Sequence, residues 1–123
     1  MKITTFNPMI ITKNPEAVIA VFEALGFERR HAPAGISGAG LEYSVVRMTD
    51  ANGFHVDVAY TGAPLPQDVS AIRMNVDDFD EGFRFLTERG FKNVKPVTDT
   101  DHSAGVMMHS PSGMSIVLAQ HKK

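Results

Sequence analysis

The feature that most constrains this fold is a hairpin used twice. Near the end of the chain, Val106, Met107 and Met108 lead into the turn His109-Ser-Pro-Ser-Gly113, and then Met114, Ile116 and Leu118 recur at every second position. An apolar approach, a Pro/Ser/Gly turn and an alternating run predict a β-hairpin. A near copy lies upstream. Val45, Val46, Arg47 and Met48 lead into Thr49-Asp-Ala-Asn-Gly53, after which Phe54, Val56 and Val58 alternate with His55, Asp57 and Ala59. Aligned on Gly53 and Gly113, the offset is 60 residues, and Met48 falls on Met108, Val56 on Ile116 and Val58 on Leu118.

The repeat extends toward the N-terminus in both copies. Residues 4–12 predict a strand. Asn14, Pro15 and Glu16 form a helix start, with a capping residue, a proline at the first helical position and an acid in the first turn. Val18, Val21, Phe22 and Leu25 follow at helical spacing, and Gly26 is placed to end the helix. Residues 27–31 read as a short strand, and 32–40 as a glycine-rich loop before the first hairpin (41–48 and 54–60). After a Pro/Gly-containing linker the pattern restarts. It runs through a strand over 71–76, a helix capped by Asp78 with Phe79, Phe83 and Leu86 inward, and a stop at Gly90, 64 residues after Gly26. A short strand (92–96), a polar loop (97–103) and the second hairpin (104–108 and 114–119) complete it. The predicted fold class is α+β. It comprises two tandem βαβββ modules in one domain over 1–123, about 1–61 and 70–121 around a linker at 62–69, with curved mixed sheets enclosing a cleft.

Composition narrows the function classes. A formal charge of −2 with scattered Lys and Arg argues against a nucleic-acid partner. Zero cysteines remove disulfides, thiolate metal sites and cysteine nucleophiles together, and fit a reducing, cytoplasmic setting. One lysine, then Thr, Asn and Pro, precede any apolar run, which predicts no secretory leader; no stretch is apolar for long enough to span a membrane. The glycines at 35, 38 and 40 do not open a helix, so they make no phosphate loop, and no serine nucleophile elbow is present.

With its paired modules, the run Asn14-Pro-Glu-Ala-Val-Ile-Ala-Val-Phe-Glu-Ala-Leu-Gly-Phe27 near the start and His109-Ser-Pro-Ser-Gly-Met-Ser-Ile-Val-Leu118 near the end, the chain resembles the vicinal oxygen chelate superfamily. That superfamily includes glyoxalase I, extradiol dioxygenases and bleomycin-resistance proteins, and the resemblance covers essentially the whole chain. It implies a cleft site, a homodimer and, in catalytic members, a divalent metal held by four side chains. These come one each from the first and last strands of the two modules, and are typically His, Glu or Gln. The corresponding positions here are Asn7, Asp57, Ala71 and Val117. Asp57 is a reasonable ligand, Asn7 offers a weakly binding amide oxygen, and Ala71 and Val117 have no donor. No metal cofactor is therefore expected. Shifting the alignment by one residue brings in Ser70 or Ile72, and Ile116 or Leu118, which supply no better set. The last turn also departs from the family's usual D-P-D-G or D-P-x-G, with Ser110 and Ser112 in place of the acids.

Strand alternation sorts the remaining candidates. If Asp57 faces the cleft, so do His55 and Ala59, and pairing the hairpin through Asp50 and Gly53 sets Met48, Val46, Ser44 and Glu42 beside them. In the second module Ala71, Arg73 and Asn75 share a face opposite Ile72, Met74 and Val76, with Met108 and Ser115 facing in near the second turn. The expected lining is Met9, Val46, Met48, Met108 and Val117. The expected polar groups are Asn7, Glu42, His55, Asp57, Arg73 and Asn75.

A guanidinium on a central strand needs a carboxylate or a ligand anion, so Arg73 is either ion-paired with Asp57 or Glu42 or ready for an anionic group. His55 and Asp57 are the catalytic candidates: a histidine beside a carboxylate is a general base, or else a rim residue with an inert hydrogen bond. Asp99, Asp101 and His102 in the polar loop are a cation grip or a solvated turn. His109 is expected on the outward side, His31 and His121 at the periphery, and the stripes Val18/Phe22/Leu25 and Phe79/Phe83/Leu86 in the core. The seven methionines suit an adaptable apolar lining.

The function these readings favour is a glyoxalase-like or bleomycin-resistance-like protein binding a small organic molecule without a metal centre, with Arg73 and Asp57 as polar anchors. The alternative is a metal-dependent lyase (lactoylglutathione lyase-like) or a dioxygenase with a non-standard site. A third reading is an assembly module without a ligand.

Overall fold

The structure, a computed structural model, describes residues 1–30, 43–62 and 64–122, so Glu42, His31 and the glycine-rich run 32–40 lie outside it. The elements are β1 (Ile3–Thr12), α1 (Pro15–Ala24), β2 (Glu28–Arg29), β3 (Tyr43–Thr49), β4 (His55–Thr61), β5 (Val69–Val76), α2 (Phe79–Glu88), β6 (Lys92–Asn93), β7 (Thr98–Asp99), β8 (Ser103–His109) and β9 (Ser115–His121). The fold is α+β. β7 falls within the expected polar loop: Thr98 pairs with Gly105 and Asp99 with Ala104, so two residues of that loop are strand. Among the described residues, no helix is long and apolar enough to cross a membrane.

The chain divides into two compact units, Asn7–Ser70 and Ala71–Lys123, and Met1–Phe6 belongs with the second. The repeat could not place those six residues. They join through hydrogen bonds to the residue before the α2 cap: Lys2 N donates to Asp77 Oδ1 (2.6 Å), and Asp77 N donates to Lys2 O (3.0 Å).

In the Asn7–Ser70 unit the strand order is β2-β3-β4-β1, with β1 parallel to β4 and the other pairs antiparallel. α1 covers one face of this sheet. Ile19, Met48, Val56 and Val58 are buried there, with Ile10, Val18, Phe22, Phe27 and Val46 packed around them. The stripe read from the sequence is corrected here. Leu25 is 67% exposed and Ile19 is the fully buried residue. The helix is Ala-, Val- and Ile-rich on every side, so apolar spacing alone does not pick its buried face. Asn14 sits at the cap position but makes no side-chain cap bond; instead its N–H donates to Thr12 Oγ1 at 2.9 Å. Arg29 ties β2 to α1 through Glu16 (2.9 Å), and this contact raises the pKa of its guanidinium.

In the other unit β5 runs parallel to β9, β9 pairs with β8, and β6 and β7 both pair with β8. Phe79, Leu86, Met108, Ile116 and Leu118 are buried under α2 with Phe83 packed against them, as the helical stripe predicted. Asp78 accepts from Glu81 N at 3.1 Å, the expected cap. Gln120 adds a second clamp, its Oε1 accepting from Phe79 N (2.7 Å) and its Nε2 donating to Asp77 O (2.9 Å).

Both helices end on a glycine of positive φ, Gly26 at 103° and Gly90 at 91°. A Cβ on Gly26 would meet nothing within 4 Å, whereas one on Gly90 would lie 2.8 Å from Pro111 Cγ. Gly26→Ala should therefore cost only the left-handed strain, about 1 kcal/mol. Gly90→Ala should cost more, and the excess should disappear in a Gly90→Ala/Pro111→Ala double variant. Urea unfolding of the four proteins checks this; equal losses for the two single variants would refute the steric account.

Candidate functional site

The two hairpins share one geometry, and it decides which side chains meet. Asp50 N donates to Phe54 O (3.1 Å) and Gly53 N to Asp50 O (3.1 Å); Ser110 N donates to Met114 O (2.9 Å) and Gly113 N to Ser110 O (2.9 Å). Each loop thus holds three residues and ends on a glycine of positive φ, 85° at Gly53 and 97° at Gly113. The expected pairing of Asp50 with Gly53 described a two-residue loop. The extra residue shifts the register by one and turns each side chain of the approaching strand to the other face.

The consequence is a correction. Met48 pairs with Val56 and Val46 with Val58, so both lie under α1, and Met48 has 0% exposure. Met108 pairs with Ile116 under α2, also at 0%. None of the three lines the faces turned away from the helices. Arg47 takes the place assigned to Val46, opposite Asp57. By the same shift His109, expected to point outward, pairs with Ser115 and shares the face of Val117.

On the sheet face away from α1, two rows run across β1, β4 and β3. One is Met9–Asp57–Arg47 and the next is Ile11–Ala59–Val45. Asp57 is 2% exposed and Met9 3%. The Asp57 carboxylate accepts from Asn7 Nδ2 at Oδ2 (3.0 Å), and Arg47 Nε lies 3.9 Å from Oδ1. Asn7 Nδ2 also donates to Pro8 O at 2.9 Å, which fixes the amide. His55 is on this face but exposed, and its Nδ1 bonds Thr49 Oγ1 at 3.0 Å. The bond expected from Asp57 to orient a general base is made by that hydroxyl instead.

On the face of the other unit away from α2, Arg73 is opposite Val117 and Asn75 opposite Ala119. Arg73 Nε donates to Asn75 Oδ1 at 3.2 Å, and Asn75 is 3% exposed. Ala71 is buried. The loop cluster is dispersed: Asp99 pairs with Lys122, and His102 N bonds Thr100 Oγ1 at 3.2 Å. Among the described residues no three His, Asp or Glu are grouped to hold a metal ion. A pocket of about 320 Å³ lined by Pro15, Glu16, Ile19, Val46, Val58 and Tyr60 lies on the α1 side, away from Asp57.

No family model matches this sequence, and no curated protein matches it. Solved structures do resemble it. A glyoxalase/bleomycin resistance protein/dioxygenase superfamily member from Vibrio splendidus 12B01 is 15% identical, with 97% of this chain and 99% of that chain covered and a TM-score of 0.61. A methylmalonyl-CoA epimerase is 17% identical, with 95% and 94% covered and a TM-score of 0.62. Glyoxalase I from Zea mays is 14% identical with a TM-score of 0.68; the match takes in 98% of this chain and 44% of the maize chain. This is the vicinal oxygen chelate fold.

At such identities the likeness shows the fold alone. For the metal of the superfamily's catalytic members, the donor set here falls short. Asn7 and Asp57, which the resemblance sets at the first module's ligand positions, are in contact, but the side chains of Ala71 and Val117, which it sets at the other two, have no lone pair to give. No metal step is derived from such a set. Sequence reasoning missed Arg47, although the signal was present: an aspartate three residues before a glycine marks this three-residue loop. Asp50 Oδ1 accepts from Asn52 N (3.0 Å) and Phe54 N (2.9 Å) to shape it.

The Asn7–Asp57 bond should be energetically real because the acceptor is charged and buried. A double-mutant cycle with Asn7→Ala and Asp57→Ala should give a coupling of about 1 kcal/mol or more in chemical unfolding. Additive losses would show that the contact contributes nothing.

Proposed function

We propose that this protein binds a small organic molecule at the sheet face turned away from α1, without the metal centre of the superfamily's metal-dependent members. The observation that carries the reading is the Asp57 carboxylate, 2% exposed in the middle of that face. Burying a carboxylate costs several kcal/mol unless it is well compensated, and packing alone would have placed an apolar residue there. Its neighbours Met9, Ile11, Val45 and Ala59 are apolar, and Ile11, Val45 and Arg47 keep partial exposure through which a ligand makes contact. A few polar groups set in apolar surface are what a small-molecule site needs. Arg73, braced by Asn75, is the polar anchor of the other unit's corresponding face. A cysteine-free chain acting as a cytoplasmic homodimer completes the proposal.

One observation favours a second reading. Asn7 Nδ2 lies 3.0 Å from Asp57 Oδ2, and the resemblance sets both residues at ligand positions of the superfamily. A lyase or dioxygenase whose metal takes further ligands from a substrate or a second chain would use that pair.

Elemental analysis of tag-free protein, with thermal-shift titrations of nickel, zinc, iron(II) and manganese, separates the two. The binding reading expects no near-stoichiometric metal and no shift with any of the four ions, while small organic ligands raise the melting temperature by linkage. Retained metal, or an ion-induced shift abolished by Asp57→Ala, would overturn it in favour of the enzyme.

A further inference from the structure

The three-residue loop of the second hairpin sets His109 opposite Ser115 on β9, and the pairing of β6 with β8 sets Lys92 on its other side. Directly opposite residues of antiparallel strands share a face. Met108 and Ile116, their neighbours along the strands, lie under α2. Lys92, His109 and Ser115 therefore form one row across three strands on the face turned away from α2, with the outer two backbones about 10 Å apart.

Each of the three carries a donor: an ammonium, an imidazole N–H and a hydroxyl. Among the described residues, none of these side chains has a hydrogen-bond or ion-pair partner. Lys92 is exposed, His109 half-buried and Ser115 only 7% exposed. A hydroxyl so deep in a sheet is ordinarily paired. It is not sealed either: among the described residues the buried, unpaired side-chain polar atom is Thr5 Oγ1, so the Ser115 hydroxyl keeps contact with solvent. The strands β5, β6, β8 and β9 contain no aspartate or glutamate, so no strand carboxylate competes for the row. In the next row Met107 and Val117 face each other, apolar and half-buried.

We propose that the row Lys92, His109 and Ser115 is an anion site that takes the phosphate of a small organic phosphate monoester, whose carbon part lies on Met107 and Val117. A phosphate monoester offers three terminal oxygens and so accepts from three donors on separate strands. A carboxylate has two oxygens in one plane and suits a single forked donor better. Lys92 supplies charge from the rim, His109 an N–H from the middle of the row, and Ser115 a charge-assisted bond at its deep end. All five residues lie in the Ala71–Lys123 unit, so the site is independent of the reading of the Asp57 face.

Phenyl phosphate, inorganic phosphate and benzyl alcohol, titrated into the full chain at about pH 7.5 where the monoester is largely a dianion, test this. Calorimetry gives the affinities, and the ring resonances of His109, assigned through His109→Gln, report where binding occurs. Phenyl phosphate should bind below about 10 mM, about tenfold or more tightly than either control, and should move the His109 ring. Ser115→Ala should weaken it about tenfold by loss of a charge-assisted hydrogen bond, and Lys92→Gln about threefold, as for an exposed charge. Binding that leaves the His109 ring unmoved, or that neither variant weakens, would overturn the site. Inorganic phosphate binding as tightly as the monoester would overturn the organic part of the ligand, and benzyl alcohol doing so would overturn the anionic part. Should a variant not fold, the wild-type titration decides: a His109 ring unmoved by phenyl phosphate up to about 10 mM refutes the proposal.

Discussion

Each unit's hairpin depends on one backbone constraint, the left-handed glycine that closes it. Gly53 and Gly113 adopt φ values of 85° and 97° that other residues reach only with strain. That conformation admits a three-residue loop, and loop length sets register. Because side chains alternate along a strand, register in turn decides the face of every residue from Val45 to Thr49 and from Gly105 to His109. Two methionines become core and one arginine comes to lie beside a buried aspartate. A turn at the end of the sheet therefore selects the chemistry in its middle.

The two units show how far a shared plan tolerates different local solutions. Both helices stop at a glycine at the same place in the repeat, but they start differently. Asp78 caps α2 with its own carboxylate and Gln120 braces the same turn, whereas α1 relies on Pro15 and on Thr12 accepting from Asn14 N. The outward faces differ too. α1 leaves Val21 57% and Leu25 67% exposed, while on α2 the exposed Phe85 ring is covered by Arg89, 3.6 Å from its centroid. The two copies therefore share where elements begin and end more than how each is held.

Much of this was legible in the sequence, for identifiable reasons. Helix boundaries could be read because proline, acids and glycine act locally, within one turn of the helix. The two modules could be read because turn residues recur at a nearly constant offset. The buried face of α1 could not, since its apolar residues surround the axis and only packing selects Ile19 over Leu25. The grouping of Met1–Phe6 with the second unit could not either, because it depends on contacts with residues more than seventy positions away, such as Lys2 with Asp77. At the site, Asp57 with Asn7 was recoverable by alternation, while Arg47 was hidden by a single-residue error in the assumed loop. A small mistake in a turn costs a whole strand face, which is why the candidate site was less readable than the fold around it.

The burial of Asp57 constrains the side chains around it. An aspartate designed only to stabilise this sheet would be poorly chosen, because a hydrophobic residue of similar volume is often neutral or better than a buried ion pair. Arg47 Nε lies 3.9 Å from that carboxylate with the arginine side chain 42% exposed, so the pair is half in water and half in the sheet. Removing a partner from a carboxylate that is 3% exposed is nonetheless strongly destabilising, because the charge left behind stays buried. Asn7, Asp57 and Arg47 are therefore held to one another's geometry, and a change at any one of them reaches the other two.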